Sequence, residues 1–154
     1  MKVTIEDMPP LRVATVQHVG PYPRISEAFQ RLGAIAGAAG LFRQPGAMML
    51  AIYYDDPETT PADRLQSDAA VTVPDGVRPP EGLVEKGLLP GRYARTTHVG
   101  PYSRLPEVWS RFKREWLPRS GHRVRKAPSY EVYRNDPTTA APDELRTDLY
   151  LPIA

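Results

Sequence analysis

The chain has 154 residues, with 20 Lys and Arg against 18 Asp and Glu, a formal net charge of +2 and no cysteine. That length suits one domain or two small halves sharing a core, and the missing cysteines exclude disulfides and thiolate metal sites. The near-balanced charge gives no support for nucleic-acid binding, and no run approaches the ~18 apolar residues of a membrane span.

"MKVTIEDMPP" opens the chain without the apolar core of a secretory leader, so a cytoplasmic location is expected. "RVATVQHV" (12–19) then reads as a strand, from its β-branched residues, and the Gly20-Pro21 step breaks it. A helix follows, with Ile25, Phe29, Leu32 and Ile35 near 3.6-residue spacing. "MMLAIYY" and "SDAAVTV" are two further strands, joined by the turn-rich "DDPETTPADRLQ". "LVEKGLL" adds a strand ahead of "RYARTTHV" (92–99), which ends at Gly100-Pro101. The next helix carries Leu105, Val108, Trp109, Phe112 and Trp116 on one stripe. Strands "SYEVYR" and "TDLYLPI" close the chain around "NDPTTAAPDELR".

The second half repeats the first at a constant offset of 80. His18-Val19-Gly20-Pro21-Tyr22 matches His98-Val99-Gly100-Pro101-Tyr102. Arg24, Glu27, Arg31, Tyr53, Asp56-Pro57, Asp63, Leu65 and Asp68 match Arg104, Glu107, Arg111, Tyr133, Asp136-Pro137, Asp143, Leu145 and Asp148. A constant register over about 60 residues points to a tandem duplication. The expected fold is α+β: a strand–helix–strand–strand unit written twice, about 3–74 and 83–153 with a linker at 75–82. The copies should pair about a pseudo-two-fold axis as a single domain. Two helices would lie on one side of a curved antiparallel sheet, leaving a groove between the repeats, where ligand pockets are favoured.

The copies disagree informatively at Glu131 in "YEVY", whose repeat mate is Ala51. A carboxylate among Tyr130, Val132 and Tyr133 could be a groove anchor for a cationic ligand, a general acid/base, or a solvated strand residue. Alternation puts Tyr133 on its face. Trp109, Tyr53 and Tyr150 are candidate aromatic walls or simply core, whereas Phe112 and Trp116 read as core. His18 and His98 have no second ligand at metal spacing, so no metal and no cofactor is expected. Each reads as ending a strand and hydrogen-bonding across its turn, although His98 could assist Glu131. "RSGHRVRK" (119–126) and the acidic Asp55, Asp56 and Glu58 read as solvated loops.

"HVGPY", "AIYYDDPETTPADRLQSDAAVTVP" (51–74), "GRYARTTHVG" (91–100) and "YEVYRNDP" (130–137) resemble the GyrI/SbmC family. They are also similar to GyrI-like effector domains of AraC- and MerR-type regulators. The likeness covers almost the whole chain. It implies two strand–helix–strand–strand units and a groove for aromatic, amphipathic or cationic compounds, with Glu131 as the central carboxylate. Ligand contacts would come from Glu131, Tyr133, Trp109, Tyr53, Tyr150 and His98. Three functions follow from the resemblance. One is a stand-alone small-molecule-binding protein for drug or toxin resistance or gyrase modulation. Another is a DNA gyrase inhibitor acting by protein–protein contact. The third is a hydrolase of cyclopropane-bearing alkylators using Glu131. Binding is preferred to catalysis, with no direct nucleic-acid reading and no membrane association.

Overall fold

A computed structural model describes residues 1–154. The fold is α+β, with eight strands whose pairings within each unit are antiparallel. The chain divides into two compact units, Pro9–Pro90 and Met1–Met8 with Gly91–Ala154.

In the Pro9–Pro90 unit the strands are β2 (Leu11–Val19), β3 (Met49–Tyr53), β4 (Gln66–Thr72) and β5 (Val84–Leu88), in the order β3-β4-β2-β5. Helix α1 (Ser26–Ala38) covers one sheet face with Ala28, Leu32 and Ala36, which meet Ala14, Ala69 and Val71 in a buried cluster. The predicted stripe of Ile25, Phe29 and Leu32 packs there, but alanines supply much of the buried helix face. Their small side chains let helix and sheet approach closely, and a count of large residues cannot see them.

The second unit holds β1 (Val3–Met8), β6 (Gly91–Val99), β7 (Ser129–Tyr133) and β8 (Arg146–Pro152), in the order β1-β6-β8-β7. Strand β1 therefore pairs with β6, Val3 opposite Thr96 and Met8 opposite Gly91. The Thr96 hydroxyl donates to the Lys2 carbonyl at 2.9 Å, and Arg95 Nε reaches Glu6 at 3.1 Å. In the other unit, β5 takes the matching place beside β2, where the Thr15 hydroxyl donates to Val84 O at 2.9 Å.

The helix of this unit is not uniform. Helix α2 (Leu105–Arg111) runs into a π-helical turn, Phe112–Trp116, and then helix α3 (Leu117–Ser120). Pro118 gives a reason: it has no N–H and its ring would crowd the carbonyl of Arg114 in a regular α-helix. Widening the preceding turn relieves that crowding. Leu105 and Phe112 are buried against Ala94, Leu149 and Leu151, with Val108, Trp109 and Trp116 packed around them.

The repeated "HVGPY" is a turn. Gly20 and Gly100 hold φ of 127° and 141°, a region that favours glycine, and their N–H groups donate to Leu65 O and Leu145 O at 2.8 Å. His18 Nε2 lies 3.0 Å from Pro21 O, and His98 Nε2 lies 3.1 Å from Pro101 O. A carbonyl only accepts, so Nε2 carries the proton in both rings.

Candidate functional site

Glu131 is central in β7 and 1% exposed. It sits opposite Leu149 of β8 and so points to the face that α2 covers. From α2, Trp109 donates its indole N–H to Glu131 Oε1 at 2.6 Å. Two residues along β7, on the same face, the Tyr133 hydroxyl donates to Oε2 at 2.8 Å. Both carboxylate oxygens are thus held by aromatic side chains, through hydrogen bonds of the strong, charge-assisted class when Glu131 is ionised.

Around this triad, Phe112 stacks on Trp109 with ring centroids 6.0 Å apart, and Tyr102 lies 5.2 Å from Tyr133. Burial, together with the charges of Asp136 and Glu131, pushes the Tyr102 phenol above its ordinary range and keeps it neutral. Lys113 Nζ lies 5.6 Å from the centroid of the Trp109 ring, within cation–π range. Such a site can hold a buried carboxylate in place and offer π faces beside it.

Of the residues singled out in the sequence, Glu131, Tyr133 and Trp109 are brought together. Tyr150 is not: its β8 neighbour Leu149 is opposite Glu131, so Tyr150 faces the other side of the sheet. There it stacks on Tyr130 at 4.8 Å and accepts a hydrogen bond from Arg134 Nη2 at 2.9 Å. His98 spends its Nε2 proton on the Pro101 carbonyl. Tyr53 belongs to the Pro9–Pro90 unit, where it packs on Tyr22 at 4.6 Å between ring centroids.

Two neighbours escaped sequence reasoning. Tyr102 was hidden as part of a turn motif. Thr147, opposite both Tyr133 and His98, is fully buried with its hydroxyl unpaired. Its repeat mate Ser67 is in the same condition, and that shared polarity at offset 80 was the available signal. No group of three or more His, Asp and Glu stands where it could hold a metal ion. No helix is long and apolar enough to cross a membrane.

Comparison with known proteins agrees with this architecture. Residues 1–154 match the GyrI-like small-molecule-binding domain. The chain belongs to the GyrI-like family. A Serratia proteamaculans relative, named a DNA gyrase inhibitor, is 36% identical over 141 residues, covering 88% of each chain. Two solved structures share the fold. The EcmrR C-terminal domain superposes with TM-score 0.76 at 15% identity, over 99% of this chain and 97% of its own. SAV2435, solved bound to tetraphenylphosphonium, gives 0.73 at 16% identity, over 100% and 94%.

Proposed function

We propose that the protein captures aromatic or amphipathic organic cations at Glu131, acting in the cytoplasm in drug or toxin resistance. The observation that carries this reading is the buried Glu131 carboxylate gripped by Trp109 and Tyr133. Trp109 and Tyr133 stabilise the carboxylate without neutralising its charge, and a cation brought beside it in a site screened from water is attracted more strongly than in bulk solvent. Rings at its side add cation–π attraction. The tetraphenylphosphonium held by the structural neighbour SAV2435 is a ligand of this chemistry. Trp109 supplies the readout. Titration with tetraphenylphosphonium should change its fluorescence saturably, and Glu131→Gln should weaken binding at least about tenfold, the loss of a desolvated charge pair. Equal affinity in the Gln variant removes Glu131 from the site.

A second reading, inhibition of DNA gyrase by direct contact, is favoured by the name of the relative with 36% identity. A supercoiling assay with the protein in large molar excess tests it. Undiminished supercoiling rejects it.

A further inference from the structure

On the reading that Glu131 anchors organic cations, we infer that Tyr102 decides which of them are preferred, its hydroxyl donating to an oxygen acceptor, a carbonyl or ether, that the ligand carries beside its charge. Tyr102 lies next to the anchor, its ring centroid 5.2 Å from that of Tyr133. Burial, with the charges of Asp136 and Glu131, holds its phenol above the ordinary range, so the proton is there to donate. Yet the hydroxyl makes no hydrogen bond. Tyr22, 80 positions earlier, is the contrast. Its hydroxyl donates to Asp55 O at 2.7 Å and accepts from the Asp55 N–H at 3.0 Å. Asn135, 80 positions after Asp55, bonds Glu144 O at 2.8 Å and the Arg146 N–H at 2.9 Å, and makes no bond to Tyr102. The same His-Val-Gly-Pro-Tyr turn thus has a clamped phenol in one unit and a free one beside Glu131 in the other.

Tyr102 has the free donor that its aromatic neighbours lack. Trp109 and Tyr133 each carry one side-chain donor, and both are spent on Glu131. Thr147, opposite Tyr133, also has an unpartnered hydroxyl, but it is fully buried, whereas Tyr102 is half-buried and reachable from solvent. A ligand N–H goes to the carboxylate, the stronger acceptor. A ligand oxygen finds nothing to accept from there and meets the Tyr102 O–H instead. A cation with such an oxygen satisfies both the charge and the hydroxyl. A purely hydrocarbon cation displaces water from the hydroxyl and returns no bond, a loss that separates one ligand from another.

The test is isothermal titration calorimetry with (acetylphenyl)triphenylphosphonium, as its meta and para isomers, against the isopropylphenyl analogues of the same shape. For at least one isomer, the ratio of acetyl to isopropyl affinity should fall about fivefold in Tyr102→Phe, the scale of one hydrogen bond between neutral groups. The ratio cancels both the greater hydrophobicity of the isopropyl group and any general effect of the variant on binding. Tyr102→Phe keeps the ring and breaks no internal hydrogen bond, so a circular dichroism melt close to the wild type certifies the fold. Tyr22→Phe, whose hydroxyl is committed to Asp55, should leave the ratio where it is. A ratio unmoved by Tyr102→Phe for both isomers, or one that falls equally in Tyr22→Phe, overturns the proposal. Tetraphenylphosphonium separates the two readings. If it binds and the ratio does not move, the role of Tyr102 alone falls; if no phosphonium binds, cation capture at Glu131 falls with it.

Discussion

Trp109 donates to Glu131 at 2.6 Å across the helix–sheet interface of one unit, and the positions 80 residues earlier hold Phe29 and Ala51. Those positions therefore have neither the donor nor the acceptor. Trp109→Phe alone removes the indole donor from Glu131 Oε1 and should cost about 1–3 kcal/mol in urea unfolding. Converting both residues, Trp109→Phe with Glu131→Leu, should destabilise less than the sum of the single changes, because an apolar pair needs no compensation. Additive losses would mean that the hydrogen bond carries no coupling.

Asp68 and Asp148, 80 positions apart, pair with different cations. Asp68, 0% exposed, receives Lys86 Nζ at 2.6 Å and the Tyr54 hydroxyl at 2.5 Å. Asp148 receives Arg134 Nε at 2.7 Å and the Thr97 hydroxyl at 2.5 Å. Lys86→Met leaves Asp68 without its cation and should lower stability by about 2 kcal/mol, the range of a hydrogen bond to a charged group. Asp68→Asn should relieve much of that loss, since a neutral amide needs no cation. If Lys86→Met melts like the wild type, the Lys86–Asp68 pair contributes nothing.

These pairs mark how far the sequence could be read. The constant offset revealed strands, helices and turns in both copies, because each local choice there agrees with the fold. It also isolated Glu131 against Ala51. Register was beyond it: one residue separates Leu149, opposite Glu131, from Tyr150 on the other face. The union of β1 with β6 is a long-range pairing with no local signal. The π turn at Phe112–Trp116 shows only as Pro118 in a helical run, which a periodicity count passes over.

Tyr22 provides a titration test. Burial pushes its phenol up to about 12, with the neighbouring Asp55 and Asp56 adding to the shift and a hydrogen bond with the Asp55 backbone opposing it. A raised folded-state value means that the stability it confers is complete below the ordinary tyrosine value near 10. It is lost as the pH climbs from there through about 12, because the unfolded chain ionises first. Denaturant midpoints should therefore fall over that window. Tyr22→Phe should make the fall shallower while lowering the midpoint at neutral pH, since the hydroxyl donates to Asp55 O at 2.7 Å. An identical alkaline slope in the Phe variant excludes Tyr22 as a contributor.

The two turn glycines should differ in their tolerance of a side chain. Both hold positive φ, so alanine is strained at either position, by about 1–3 kcal/mol. A Cβ on Gly20 would come no closer than 3.8 Å to the His18 ring, an ordinary contact. On Gly100 it would lie 3.3 Å from two atoms of the His98 ring, which is fixed by its bond to Pro101 O. Either the ring gives way and weakens that bond, or the turn shifts and disturbs the Gly100 N–H donation to Leu145 O. Gly100→Ala should thus destabilise more than Gly20→Ala in parallel thermal melts. Combining Gly100→Ala with His98→Ala, which removes the obstructing ring, should narrow the gap. A Gly20→Ala variant that proves the less stable of the two would show that the His98 contact is not what limits the turn.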